Sequence, residues 1–199
     1  MKKGLLFALM LMAVALSGCS SRYMQPADAA LAERTPGPEE AKIVFFRATN
    51  LGGAVQSWVC EAVEGEPAYV AIVSAKAKIA HFTTPGKHTY MTGGENCELL
   101  EADFEGGKTY YTYVSPRMGF WKARFVFVPV TKEQLASEEF RKDLAWCEWR
   151  ESLPEAEAWF RENLPSLREK YNEGRAALTA NPAEGKFLHP EDGSPIPIF

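Results

Sequence analysis

The chain predicts a mainly β fold with an α extension: an antiparallel β-sandwich packed by C-terminal helices. Three observations lead there. Short β-branched and aromatic segments recur between turn formers from residue 41 to residue 131. Helical apolar periodicity appears only after Thr131. An N-terminal address sequence precedes both and belongs to neither.

That address comes first in the chain. Met1-Lys2-Lys3 leads into the apolar run Leu5–Leu16, and Leu16-Ser17-Gly18-Cys19 closes it. A helix over the run reaches about 18 Å, short of the roughly 30 Å hydrocarbon core, so it reads as a signal peptide over residues 1–18 and not as a membrane span. The small residues followed directly by cysteine resemble the lipobox of bacterial lipoproteins. That resemblance implies lipidation of Cys19, palmitate-type acylation of the freed amine and attachment to the membrane through the lipid. Ser20 after the lipidated residue implies sorting to the outer membrane, facing the periplasm. Residues 19–40, with Pro, Ala and charge but no sustained apolar period, read as a flexible tether that holds the domain off the bilayer.

The β region, 41–131, contains the segments 41–48, 55–62, 69–74, 78–83, 87–91, 98–104, 109–114 and 124–130. Asn50-Leu51-Gly52-Gly53, Gly65-Glu66-Pro67, Pro85-Gly86, Gly93-Gly94 and Gly106-Gly107 separate them, and hairpins are the expected connections. Leu100, Ala102 and Phe104 alternate with Glu101 and Asp103, which marks a strand half-exposed to water. Ile43 to Phe46 and Phe125 to Val128 are apolar on both faces, so a second layer must cover them.

The helical extension, 132–178, supplies that cover. Thr131 and Gln134 form a capping-box pattern ahead of Phe140, Leu144 and Cys147. Ser152, Pro154 and Glu155 open a second helix carrying Phe160, Leu164, Leu167 and Tyr171, which Pro165 is expected to kink or restart. The proline-rich tail, 179–199, reads as an irregular strap, loose or pinned to the surface.

The segments AKIVFFRATN (41–50), TTPGKHTYMT (83–92), FEGGKTYYTYV (104–114) and MGFWKARFVFVPV (118–130) resemble, in order and spacing, domain of unknown function 2846, a family of bacterial lipoproteins. The resemblance implies a small β-sandwich and no established activity. Cys60, Cys97 and the longer helical extension depart from the pattern.

With 22 basic and 26 acidic residues the formal charge is −4, and loss of Lys2 and Lys3 with the signal lowers it further. The chain lacks the basic clusters that phosphate backbones require, so nucleic acid is not an expected partner. Beyond Cys19 there are Cys60, Cys97 and Cys147, with three possible pairings in an oxidising compartment. Cys60 and Cys97 share the β region while Cys147 lies on a helical stripe, so the expected disulfide is Cys60–Cys97. No CxxC or Cys/His spacing for zinc occurs, and neither metal nor cofactor is expected.

Catalytic patterns are weak. Gly107-Lys108-Thr109 resembles the end of a phosphate loop, but Ala102 replaces the leading glycine and a strand follows. His81 and His88 flank Pro85-Gly86, where a hairpin would pair His88 with Thr83 and leave His81 apart. Glu151, Glu155, Glu157 and Glu162 read as a solvated helix face. Trp146, Trp149 and Trp159 exceed what two short helices need for packing and are a candidate patch for an envelope protein partner. The expectation is a noncatalytic binding or structural module; the alternatives are a carrier of a small apolar ligand and a hydrolase of envelope polymers.

Overall fold

The computed structural model describes residues 22–95, 97–119 and 123–199. The segment read as a signal, with Leu16-Ser17-Gly18-Cys19, lies outside them. The chain forms β1 (Met24–Pro26), α1 (Ala29–Glu33), β2 (Ala41–Phe46), β3 (Ser57–Val63), β4 (Glu66–Val73), β5 (Ala77–Thr83), β6 (Gly86–Gly93), β7 (Cys97–Phe104), β8 (Thr109–Arg117) and β9 (Arg124–Pro129). Then follow α2 (Glu138–Trp146), β10 (Glu148–Ser152), α3 (Pro154–Ala180) and β11 (Lys186–Leu188). Every segment read as a strand in the sequence is one.

These strands make two open sheets, ordered β1-β10-β5-β2-β8-β9 and β11-β7-β6-β3-β4. The wholly antiparallel expectation is corrected: β2 with β8, β10 with β5 and β11 with β7 run parallel. Parallel neighbours need long connections, and the later strands β10 and β11, on segments read as helix and tail, supply two of them.

Ile43 and Phe45 of the six-stranded sheet and Tyr90, Met91 and Leu100 of the five-stranded sheet are fully buried in one shared cluster. Aromatic rings fill its middle, with Phe45 5.2 Å from Tyr90 and Phe104 4.6 Å from Tyr110 between centroids.

The two helices cover different surfaces. α2 lays Phe140 and Leu144 on Val44, Phe46 and Tyr111, the outer side of the six-stranded sheet. This explains why β2 is buried at every position. Its N-cap is Ser137, whose Oγ accepts from the Phe140 N–H, while Thr131 and Gln134 close a separate 3-10 turn just before it. α3 covers β4 and β7 of the five-stranded sheet, with Phe160 5.5 Å from Tyr69 and Gly174 against Cys97 and Leu99. It runs through Pro165 without a break. Pro165 removes one donor from the helix ladder, and both Pro165 and Arg161, whose carbonyl loses that donor, are exposed.

One boundary differs from the sequence reading, and the structure decides between the two readings of the tail. The expected tether is folded from Met24: β1 pairs with β10, the Met24 side chain is buried, and Asp28 caps α1. Extended backbone without apolar periodicity concealed this, because a three-residue strand carries no period. The tail is the pinned strap: β11 adds to β7, Thr109 bridges Ser194, and the Tyr111 hydroxyl accepts from Ile198 N–H at 2.6 Å.

Candidate functional site

Pro85-Gly86 joins β5, in one sheet, to β6, in the other. The expected hairpin is therefore a crossover between layers, turning on Gly86 at φ 115°, a conformation that favours glycine. Its consequence is chemical. His81 comes from β5 opposite Ile43, His88 from β6 opposite Ala102, and Glu61 of β3 opposite Tyr90 lies between them. Nδ1 of His88 is 2.6 Å from Glu61 Oε1, and Nε2 of His81 is 3.7 Å from Glu61 Oε2. Nε2 of His88 donates to the Thr84 carbonyl oxygen at 2.8 Å. The rings of Tyr90 and Phe104 stack on His88.

The His81 and His88 imidazoles hold the Glu61 carboxyl down to about 2, against partial burial. Hydrogen bonding to Glu61 raises the His88 pKa, against desolvation. Burial pushes the Tyr90 phenol well up, and its hydroxyl has no hydrogen-bond partner among the described residues. Both Glu61 oxygens thus face imidazoles, one from each sheet: His88, in the same sheet, is within hydrogen-bond distance, and His81, from the other sheet, lies at 3.7 Å without a hydrogen bond. An open cleft of about 380 Å³ adjoins it, lined among others by Lys87, His88, Glu101, Asp103, Phe187 and His189. Among the described residues no group of three His, Cys, Asp or Glu is placed to hold a metal ion.

The expected disulfide is corrected. Cys60, Cys97 and Cys147 are free. Cys60 sits opposite Met91 and Cys97 opposite Gly93, on either side of β6. Two strand spacings, roughly 9–10 Å, separate them, beyond the roughly 7 Å that a bridge spans. Burial raises all three thiols, Cys97 and Cys147 to about 12.

The three tryptophans do not share one environment. Trp146 is exposed with Lys76 Nζ 4.6 Å from its ring centroid. Trp149 is half-buried, donates to Glu33 Oε1 at 2.9 Å and receives Lys78 over its ring. Trp159 packs at the margin of the shared core, 6.4 Å from Tyr23.

Buried cations were not legible in the sequence. Lys42, fully buried, donates to the carbonyls of Ala32 and Arg34 at the end of α1, and Lys78 donates to Leu144 O near the end of α2. Lys42 reaches carbonyls at the end of α1, while the Leu144 carbonyl that Lys78 reaches also accepts from the Cys147 N–H; both cations sit at the negative end of a helix dipole. Burial lowers the Lys42 pKa to about 8. Arg47, also buried, donates to Leu51, Gly52 and Val55 carbonyls and lies 5.0 Å from the Phe125 ring centroid, tying the loop after β2 to the core. The one signal was their place in otherwise apolar strands.

No family model, curated protein or solved structure matches the chain. The likeness to domain of unknown function 2846 rests on its quoted motifs alone. No helix among the described residues is long and apolar enough to cross a membrane.

Proposed function

We propose that the chain is a lipoprotein of the bacterial envelope, anchored by lipid on Cys19, with a mixed β-sandwich acting as a noncatalytic binding or structural module that faces the periplasm from the outer membrane. The observation that carries it is the order of features along the chain. A basic start, a run too short to span and Leu16-Ser17-Gly18-Cys19 come directly before a folded domain that opens at Met24. Support for a noncatalytic reading comes from Glu61 and His88, which are hydrogen-bonded to each other, while the second ring nitrogen of His88 is taken by the Thr84 carbonyl. Against a carrier with an internal cavity, Phe45, Tyr90, Phe104, Tyr110 and Phe127 occupy the space between the layers.

Mass spectrometry of the mature terminus together with membrane fractionation tests this. Acylated Cys19 and a membrane-bound protein that Cys19→Ser releases, or leaves as uncut precursor, are expected. An unmodified terminus in the soluble fraction overturns the anchor.

A further inference from the structure

We infer that the edge of the domain formed by β1 and the start of α3 lies directly against the zwitterionic headgroups of the leaflet that carries the anchor. This rests on the lipidation of Cys19 proposed above. Its basis is chain length. Met24 is the first residue of β1 and its side chain is buried, so the folded domain begins five residues after Cys19. Even fully extended, those residues reach about 17 Å. The headgroup layer itself takes up roughly 5–8 Å of that reach. A 20-residue spacer would have let the domain stand away from the bilayer; this short link does not.

The surface at the point of entry suits the neighbour. Tyr23 accepts from the Leu153 N–H through its carbonyl, and its ring lies 6.4 Å from that of Trp159. Arg22 stands over the Tyr23 ring at 5.3 Å and is exposed. Aromatic rings with polar tips favour the membrane interface, and a guanidinium matches a phosphate. Around them the carboxylates of Glu151 and Glu155 are exposed, whereas that of Glu157 is paired with Arg161. The Glu151 and Glu155 carboxylates repel an anionic surface and complement an outward ammonium group. Together with Arg22 they fit headgroups that present phosphate and ammonium at once, which is why zwitterionic lipid is the assigned partner. The tether holds the surface there; the surface needs little affinity of its own.

The sheet order makes the orientation measurable. β1 and β9 are opposite edges of the six-stranded sheet, about 24 Å apart at the usual strand spacing. The acylated full-length protein is reconstituted in phosphatidylethanolamine–phosphatidylcholine vesicles containing a headgroup spin-labelled lipid. A bimane is placed at Glu157→Cys or, on the far edge, at Arg124→Cys; the native thiols Cys60 and Cys147 are buried and Cys97 is half-buried. Quenching several-fold stronger at 157 than at 124 is expected. A flexible insertion of roughly 15 residues after Ser21, adding an average reach of about 20 Å, is expected to abolish most of that difference. Equal quenching at both sites, or none at either while the protein remains vesicle-bound, overturns the orientation. A difference that survives the insertion overturns the tether argument. If the terminus carries no acyl mass, the anchor itself fails, and this inference falls with it by a separate readout.

Discussion

Glu61 Oε1 lies 2.6 Å from Nδ1 of His88, whose other ring nitrogen faces a carbonyl oxygen. A neutral imidazole has one N–H, and here both nitrogens face acceptors, so His88 is an imidazolium paired with a carboxylate. The pair belongs to the five-stranded sheet, and His81 brings the six-stranded sheet to the same carboxylate.

Glu61→Gln is therefore expected to cost about 1–3 kcal/mol, as a part-buried charge loses its partner. Its pH dependence has a definite sign. Glu61, ordinarily 4.5 and held at about 2, contributes fully above pH 4.5 and loses its contribution as pH falls toward 2. His88, raised above its ordinary 6.5, contributes fully below pH 6.5 and loses its contribution as pH rises through the raised value. Urea denaturation of both proteins across pH is expected to show the wild-type advantage at its greatest between pH 4.5 and 6.5. A flat difference would assign the cluster no ionic role.

Leu144 of α2 and Phe160 of α3 pack into different apolar clusters, Leu144 on the outer side of the six-stranded sheet and Phe160 against the shared core. Leu144→Ala and Phe160→Ala are each expected to cost about 2–5 kcal/mol. Because they share no partner, their costs should add to within about 0.5 kcal/mol in the double variant. Strong coupling would mean that the helices form one unit.

A Cβ on Gly174 would meet Cys97 Sγ at 3.0 Å and Leu99 Cγ at 3.4 Å. Gly174→Ala alone is expected to destabilise the protein despite the better helix propensity of alanine. In the background of Cys97→Ala, which removes the sulfur, the same change is expected to stabilise by about 0.5–1 kcal/mol. Thermal melts of the four proteins check this. A gain from Gly174→Ala in wild type would show that Cys97 yields easily.

The free thiols give a direct chemical test. With Cys97 and Cys147 pushed up to about 12 by burial, and Cys60 raised further, little thiolate exists at neutral pH. A thiol reagent is expected to label all three slowly in the native protein and rapidly in denaturant. Peptide mapping without reduction should find no Cys60–Cys97 link; finding one would require a different register across β6.

How much was legible follows from the range of each signal. Alternation and turn residues act within a few positions, which is why the strands from Ala41 to Pro129 and the stripes Phe140–Leu144 and Phe160–Leu167 could be read from the chain. The need for a cover over Ile43–Phe46 was equally local, since side chains on both faces of one strand announce two buried faces. Sheet membership was not. Pro85-Gly86 turns equally well within a sheet or between sheets, and only packing placed β5 and β6 in different layers. That choice brought His81, His88 and Glu61 together and put Cys60 and Cys97 on either side of β6. The short strands β1, β10 and β11 were hidden for a related reason: a few extended residues have no period, and they become strands only because an existing edge offers them hydrogen bonds. The sequence determined the local elements; the tertiary structure decided which charges meet and that the folded domain begins as early as Met24, because both depend on contacts between residues far apart in the chain.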